Sequence, residues 1–307
     1  MVIDEANPAN PAVCLSVSDP TEVQPGSNVC GPNTETGVFT TVSGQTIEAR
    51  QQLGTNGGVN FGSNGWYRTM GSSAYNALES SLQYTGRRTT LLVSYTYSKA
   101  MDDSSAVTEQ IMPLNPRLEW ALSAFNVTHN FVTSYSYELP VDKISGRSNN
   151  LTRGWVLSGI TRFSTGFPVT ITENDDQSLI GNTSVGPTGS ADEPNFTPGK
   201  LLLQTNPRKG GTYFNTSLFS FENLGQFGNA KRRFFGGPGI NNWDLALSKD
   251  YRFTEAKSLE FRVEFFNVFN HAQFLTPTGL INAGSSFGVV TNARDPRIGQ
   301  LALKFLF

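Results

Sequence analysis

Hydrophobic and polar residues alternate along several segments of the chain. The clearest segment runs from Leu259 to Phe269. One face carries Leu259, Phe261, Val263, Phe265 and Phe269, and the other carries Glu260, Arg262 and Glu264. Because successive side chains of a strand point to opposite sides, this period of two predicts a β-strand with one apolar and one polar face.

The segment before it repeats the pattern. Trp243, Leu245, Leu247, Tyr251 and Phe253 alternate with Asp244, Ala246, Ser248, Asp250 and Arg252, and only Lys249 is out of phase. Residues 254–257 are short enough to join the two segments as a hairpin. The sequence therefore predicts two neighbouring antiparallel strands here.

Five further segments alternate in the same way, which brings the predicted strands to seven. Their apolar positions are Leu78, Leu82 and Tyr84; Leu91, Val93, Tyr95 and Tyr97; Phe131, Tyr135, Tyr137 and Leu139; Trp155, Leu157 and Phe163; and Leu301, Leu303, Phe305 and Phe307. The connections are short at 86–88, 139–151 and 254–257, and long at about 101–126, 166–240 and 271–296.

Alternating connection lengths are typical of outer-membrane barrels, which have short periplasmic turns, long extracellular loops and strands of about 9–11 residues. We therefore predict an all-β fold: an antiparallel up-and-down transmembrane β-barrel, here a partial barrel of about seven to eight strands. Residues 73–307 form its strands, and residues 1–72 form an extracellular loop region with room for one short strand near 37–50.

The two faces of the predicted strands imply two environments. We expect Leu259, Phe261, Val263 and Phe265 to face lipid, and Asp244, Glu260, Arg262 and Glu264 to face the lumen. Aromatic residues also gather at strand ends, as interfacial girdles require.

Composition narrows the possible functions. Charged residues make up 16% of the chain and the net charge is −2, so there is no basic footprint for nucleic acid. No run approaches the roughly 18 apolar residues of a transmembrane helix, which excludes a helical membrane protein. The first residues show neither the basic nor the apolar region of a signal peptide.

Cys14 and Cys30 are the two cysteines, and no histidine lies near them to complete a zinc site. We favour a loop disulfide, which implies an oxidising compartment, while two unpaired thiols remain the alternative.

Candidate catalytic and metal motifs are weak. Residues 284–288 match G-x-S-x-G, but the pattern predicts no strand before it and no helix after it. His129 and His271 are expected to make interfacial or loop hydrogen bonds. The pairs at 102–103 and 175–176 lack the ligand spacing of a calcium loop and are expected to be solvated acids. We predict no enzyme activity, no cofactor and no metal site.

Several strings resemble the C-terminal barrel of TonB-dependent receptors, especially the Oar-like, carboxypeptidase-regulatory-like-domain-containing receptors of acidobacterial type. They are YNALESSLQY (75–84), LLVSYTYSKAMDDSS (91–105), RFSTGFPVTI (162–171), FFGGPGINNWDLALSKDYRF (234–253) and EFRVEFFNVFNHAQF (260–274). The resemblance covers roughly residues 64–307. It implies an outer-membrane receptor that takes up a small molecule, saccharide or peptide.

The last segment, RIGQLALKFLF, looks like the terminal β-signal of outer-membrane proteins. The resemblance implies that the barrel-assembly machinery reads Leu301, Leu303, Phe305 and Phe307. Nothing in the chain resembles a TonB box, a plug domain or a carboxypeptidase-regulatory-like domain, so we expect coupling to the TonB system only if a further N-terminal part exists.

An open sheet in lipid leaves backbone polar groups unpaired at both edges, and each such group costs several kcal/mol. The sheet must therefore close on itself or continue into further strands, and we favour continuation. Two other functions stay open: a small passive pore or structural barrel in the outer membrane, and a secreted β-sandwich adhesin.

Overall fold

The computed structural model describes residues 2–5, 11–17, 37–41, 46–48, 65–68, 71–106, 109–111, 116–173, 193–204, 206–223, 227–254 and 256–307. The strands are β1 (Val2–Glu5), β2 (Pro11–Val17), β3 (Gly37–Thr41), β4 (Thr46–Glu48), β5 (Gly65–Arg68), β6 (Ser73–Thr85), β7 (Thr89–Asp102), β8 (Gln110–Ile111), β9 (Ala121–Leu122), β10 (His129–Glu138), β11 (Trp155–Ser164), β12 (Asn195–Phe196), β13 (Phe219–Ser220), β14 (Ile240–Arg252), β15 (Ser258–Phe266) and β16 (Ile298–Leu306).

Helical structure in the described residues is confined to short pieces. They are the one-turn α-helix α1 (Val141–Ile144) and the 3-10 helices Pro116–Glu119, Pro207–Lys209, Thr216–Leu218 and Ile281–Ser286. None of these helices is long and apolar enough to cross a membrane.

Seven long strands form one antiparallel sheet in the order β6-β7-β10-β11-β14-β15-β16. Each long strand pairs with the next long strand along the chain, which is the up-and-down topology that the alternation predicts. The short strand β9 also pairs with the end of β7. The predicted all-β fold with antiparallel strands is thus confirmed, and the barrel is open in this structure.

The pairing register joins the apolar positions of neighbouring strands into one continuous face. Phe131 lies opposite Phe163 and Tyr95, and Leu157 lies opposite both Tyr137 and Leu247. Val263 in turn lies opposite Leu247 and Leu301. We call this surface the apolar face and the opposite surface the polar face. A slip of one residue would mix the two, so the pattern fixes the register.

The predicted strand from Leu259 to Phe269 ends three residues early, at Phe266. Asn267 and Asn270 have positive φ angles, of 51° and 52°, which extended strands do not adopt. Phe269 nevertheless returns to the apolar face, because its ring packs edge-on against Trp243 at a centroid distance of 5.6 Å.

The connections confirm the two predicted lengths. Hairpins at 86–88 and 253–257 and the segment 139–154 join strands at one end of the sheet, and residues 103–128, 165–239 and 267–297 join them at the other. We call these the short-turn end and the long-loop end.

Residues 1–72 differ from the single short strand that the sequence suggested. They contain β1 to β5, which lie in two small sheets: β5-β1-β8 and β2-β3-β4. Strands of three to seven residues offer too few alternating positions for a periodicity to be visible in the sequence. In the 37–50 region β3 pairs with β2 and with β4, so neither β3 nor β4 is an eighth strand of the long sheet.

The sheet has two free edges, β6 and β16, each with a single strand neighbour among the described residues. All thirteen residues of β6 and all nine of β16 are exposed. Exposed leucines on these strands, such as Leu78 and Leu301, would be unfavourable in water and indicate contact with lipid or with further strands.

Candidate functional site

A groove of ≈ 410 Å³ runs along the polar face across the middle strands of the long sheet. Serines from two strands line it, together with charged residues from β14 and β15. The polar-face residues in its wall are Thr90, Ser134, Ser136, Ser158, Ile160, Asp244, Ala246, Arg262, Glu264 and Phe266. Small polar side chains leave the groove open, and the charged groups give it hydrogen-bonding capacity.

A second groove, of ≈ 540 Å³, continues from the first toward the long-loop end. The two share Asp244 and Phe266 in their walls. Arg162 and Asn242 from the strands face Arg294 and Asp295 from the connection 267–297. The polar face therefore offers one path of polar groups from mid-sheet to the long loops.

The four predicted lumen residues lie on the polar face, as the register requires. Asp244, Arg262 and Glu264 line the first groove, whereas Glu260 lies nearer the short-turn end, opposite Asp250 and Lys304. Arg262 Nη2 lies 2.5 Å from Glu264 Oε1.

The carboxylates of Glu264 and Asp244 have further partners. Glu264 also accepts a hydrogen bond from Gln300 on β16. Asp244 Oδ1 accepts hydrogen bonds from Asn242 Nδ2 at 2.9 Å and from the Asn267 amide at 2.8 Å. Asp244 thereby ties the polar face to the start of the connection 267–297.

The four predicted lipid-facing residues share the apolar face. Leu259, Phe261, Val263 and Phe265 lie opposite Tyr251, Lys249, Leu247 and Leu245 of β14. The partition between lipid and lumen stays a prediction, but it agrees with this grouping. Leu301, Leu303 and Phe305 continue the face on β16, and Phe307 follows it directly in the chain. Their reading by the assembly machinery stays a prediction.

The long connections carry a hydrophobic core of their own, which the sequence did not predict. Its buried residues are Val169, Ile171, Tyr213, Phe214, Phe219, Phe235 and Phe287, all from residues 165–239 and 267–297. Phe214 packs edge-on against Phe219, Phe235 and Phe287, with ring centroids 5.0–5.6 Å apart. Burial raises the pKa of the Tyr213 hydroxyl. We call this unit the loop cap.

A buried ion cluster joins the loop cap to the connection 103–128 and to the end of β7. Arg232 contacts three carboxylates: Asp102 at 3.2 Å, Glu109 at 2.5 Å and Glu119 at 3.0 Å. The neighbouring Arg233 pairs with Glu109 and donates from Nε to Thr170 Oγ1 at 2.8 Å. We call these five charged residues the arginine cluster.

The arginine cluster is almost completely removed from solvent. Arg232 and Arg233 are each 1% exposed, and Asp102, the most exposed carboxylate, is 3% exposed. Burial by itself lowers the pKa of Arg232, but the carboxylates of Glu109, Glu119 and Asp102 outweigh it and raise the pKa above its ordinary value. The Arg232 guanidinium therefore stays charged at any pH at which the protein is handled.

The cluster corrects one expectation from the sequence. Asp102 is not a solvated loop acid, because its carboxylate accepts hydrogen bonds from Ser105 and Ser123 besides the contact with Arg232. Asp102 lies 130 positions before Arg232, and no local sequence pattern indicates that two such distant residues pair. The other predicted acid pair, at 175–176, lies outside the described residues.

The remaining candidates behave as follows. His129 Nδ1 lies 2.9 Å from the Tyr95 hydroxyl, and the His271 amide donates to Asn267 Oδ1 at 3.0 Å, which agrees with the expected loop hydrogen bonding. Ser286 ends a 3-10 helix and is not at a strand-to-helix elbow.

Cys14 is in β2, whereas Cys30 lies outside the described residues, so the disulfide stays a prediction. The absence of enzyme activity stays a prediction too.

These features define a class of protein. The sheet is antiparallel and up-and-down, it has one apolar and one polar face, and it carries short turns at one end and folded loops at the other. This is the wall of an outer-membrane barrel. The chain matches the family model of the outer membrane beta barrel domain over residues 3–300. It belongs to that family and is located in the bacterial outer membrane. Searches among curated proteins and among solved structures gave no match.

Proposed function

We propose that the chain is the barrel wall of a TonB-dependent receptor that captures a ligand outside the cell and takes it up across the outer membrane. The observation that carries the proposal is the loop cap with its arginine cluster. A passive pore needs only strands and turns, whereas capture of a specific ligand needs loops held in one arrangement. The resemblance of the strand strings to TonB-dependent receptors supports the same function.

The grooves on the polar face support a path for the ligand. Arg294 and Asp295 at the long-loop end lead to Asp244, and then to Arg262 and Glu264 deeper in the sheet. Both signs of charge occur along this path. A polar ligand such as a saccharide or a peptide finds hydrogen-bond partners over its whole length.

The free edges of β6 and β16 bear on which barrel is formed. In lipid their backbone groups must be paired, either with each other or with further strands. A receptor barrel requires further strands, and a small passive pore requires that these two edges meet. A secreted β-sandwich does not fit, because the long strands form a single sheet.

The first experiment measures the size and closure of the native barrel. Native outer membranes are run on a gel heated and unheated, and blotted with an antibody against residues 193–223. A band far above 33.5 kDa that shifts on heating would support the receptor. A heat-shifting band near 33.5 kDa would instead indicate a self-closing barrel, and uptake coupled to TonB would be abandoned.

A second experiment tests the coupling itself. The native protein in detergent is passed over an immobilised periplasmic domain of TonB, and a porin from the same membranes serves as the control. The receptor proposal expects retention of the protein but not of the porin. If both pass through unretained, the passive pore becomes the better function.

A further inference from the structure

We propose that the apolar face carries a binding site for the phosphate of an anionic phospholipid, located at the short-turn end and centred on Lys249. The site belongs to the periplasmic leaflet if the long loops are extracellular. It rests on the outer-membrane location of the chain and does not depend on whether the barrel transports a ligand.

Lys249 is in an unusual place for a charged residue. Its neighbours across the sheet are Trp155 and Phe261, so it lies on the apolar face. Within the seven long strands, two Lys, Arg, Asp or Glu residues lie on this face: Lys99, near the long-loop end, and Lys249, near the short-turn end. Both are cations, and both lie near the ends of the strands, where the apolar band meets the lipid headgroups.

The Lys249 ammonium is buried, and no carboxylate among the described residues forms an ion pair with it. The residue is 7% exposed, and its Nζ donates to the Asp250 carbonyl at 2.9 Å and to the Arg153 carbonyl. The Asp250 carboxylate, on the polar face, contacts Arg252 at 3.5 Å. An ammonium has three donors, so one remains for an anion, and a buried cation is costly unless its donors are satisfied and its charge is paired.

The backbone of Gly154 lies beside this ammonium. Gly154, directly before β11, has φ of +74°, and a Cβ placed there would lie 3.6 Å from Lys249 Nζ and 3.3 Å from the Asp250 carbonyl oxygen. A glycine therefore forms the wall beside the amine, and the positive φ explains why a glycine occupies it.

The surroundings fit a phospholipid better than a free anion. Tyr251, Phe253 and Phe305 form a chain of ring contacts beside Lys249, with centroids 4.9 and 6.3 Å apart, and the ammonium lies 5.9 Å from the centre of the Tyr251 ring. Aromatic residues at this depth contact the upper acyl chains while a neighbouring cation reaches the phosphate.

The charge of the two ends supports an anionic lipid at this one. The three short connections, 86–88, 139–154 and 253–257, contain six basic and two acidic residues. The three long connections contain nine basic and ten acidic residues. Clustered Lys and Arg beside an apolar surface attract anionic headgroups. The excess of positive charge is thus confined to the end that holds Lys249.

The test titrates the full-length protein, purified in detergent, with phosphatidylglycerol and counts bound lipids by native mass spectrometry. Lys249→Met removes the charge and keeps the chain length. Lys304→Met is the matched control, because Lys304 lies near the same end on the polar face. We expect Kd for the tightest lipid to rise ~10-fold in Lys249→Met and to change less than ~2-fold in the control.

An unchanged Kd in Lys249→Met would overturn the proposal. An equal rise in Kd in both variants would also overturn it, because the loss of one positive charge at either position would then explain the effect. Inorganic phosphate is titrated in parallel. If it binds the wild-type protein as tightly as the lipid does and also depends on Lys249, the site is one for a free anion and the lipid assignment is wrong. The heat-shift on gels reports whether each variant folds.

A measurement on the unchanged site covers the case in which Lys249→Met does not fold. Trp155 lies directly opposite Lys249, so brominated lipids bound there should quench its fluorescence. We expect brominated phosphatidylglycerol to quench the Trp155 contribution, defined by difference from Trp155→Phe, more than brominated phosphatidylcholine at equal mole fraction. Equal quenching by the two lipids would contradict the site.

Discussion

Replacing Arg232 with methionine should cause local unfolding of the loop cap while the long strands stay paired. The side chain contacts three buried carboxylates that come from β7 and from the connection 103–128. Methionine has similar length and no charge, so the change removes the ion pairs without opening a large cavity. The carboxylates of Glu109 and Glu119, at 1% and 0% exposure, would then lose the guanidinium that contacts both.

The cost follows from the burial of the groups left behind. Removing one partner of a buried ion pair destabilises by about 3–5 kcal/mol, mainly because the remaining charge is uncompensated. At about 1.4 kcal/mol per factor of ten, the fraction of open loop cap rises roughly 150- to 4000-fold. Glu119→Gln added to Arg232→Met should restore part of the loss, because it removes one of the buried negative charges that Arg232 neutralised.

Amide hydrogen exchange measures this opening at defined positions. The reporters are three backbone hydrogen bonds at the cluster: Leu122 N to Arg233 O at 3.2 Å, Ile171 N to Arg232 O at 3.2 Å, and Val169 N to Phe235 O at 3.0 Å. They should exchange faster by the factor above, while amides in β10 and β11 keep their protection. Arg208→Met, an exposed arginine in the same connection, is the control. Equal exchange in the two variants would refute the reasoning.

Three further predictions concern the sheet and the loop cap. Leu301→Arg places a charge on the apolar face and should cost up to about 2–4 kcal/mol of stability in lipid vesicles. Ala302→Arg, one residue further and on the polar face, should be tolerated. Equal urea midpoints for the two variants would count against the assignment of faces. Phe214→Ala removes the ring that packs against three other phenylalanines and should destabilise the loop cap by about 3–5 kcal/mol. Proteases should then cut rapidly within residues 193–223 while the strands stay intact. Resistance equal to that of the wild-type protein would mean that the aromatic core does not hold the loops together. Gly279→Ala should loosen the same loops by about 1–3 kcal/mol, because its Cβ would meet the Thr170 carbonyl oxygen; unchanged proteolysis would show that the backbone can move aside.

The long strands were predictable because their chemistry is local. Alternation over ten or more residues marks both the strand and its faces, and each strand pairs with its successor, so register needed no distant information. Lys249 was visible as the one break in the phase of its strand. The hydrogen bond that Lys249 donates to the Arg153 carbonyl could not be predicted, because Arg153 lies 96 residues earlier, in the irregular connection 139–154.

The loop cap and the short strands before residue 72 were not predictable, for two different reasons. Phe214 and Phe287 stand in glycine- and threonine-rich stretches without periodicity, and a pattern of contacts among irregular segments leaves no repeat in the sequence. The arginine cluster depends on pairs separated by more than a hundred residues. Its members read individually as ordinary loop charges, which are usually solvated.

The separate core of the loop cap divides the long-loop end into parts with different freedom to change. Substitutions at Phe214 or Arg232 would unfold the loops, but residues such as Lys200, Arg208 and Lys209 are exposed and touch neither the aromatic core nor the arginine cluster. Mutations at such positions can accumulate without a cost in stability. A barrel built this way can change the outer surface of its loops while it keeps the shape of its mouth.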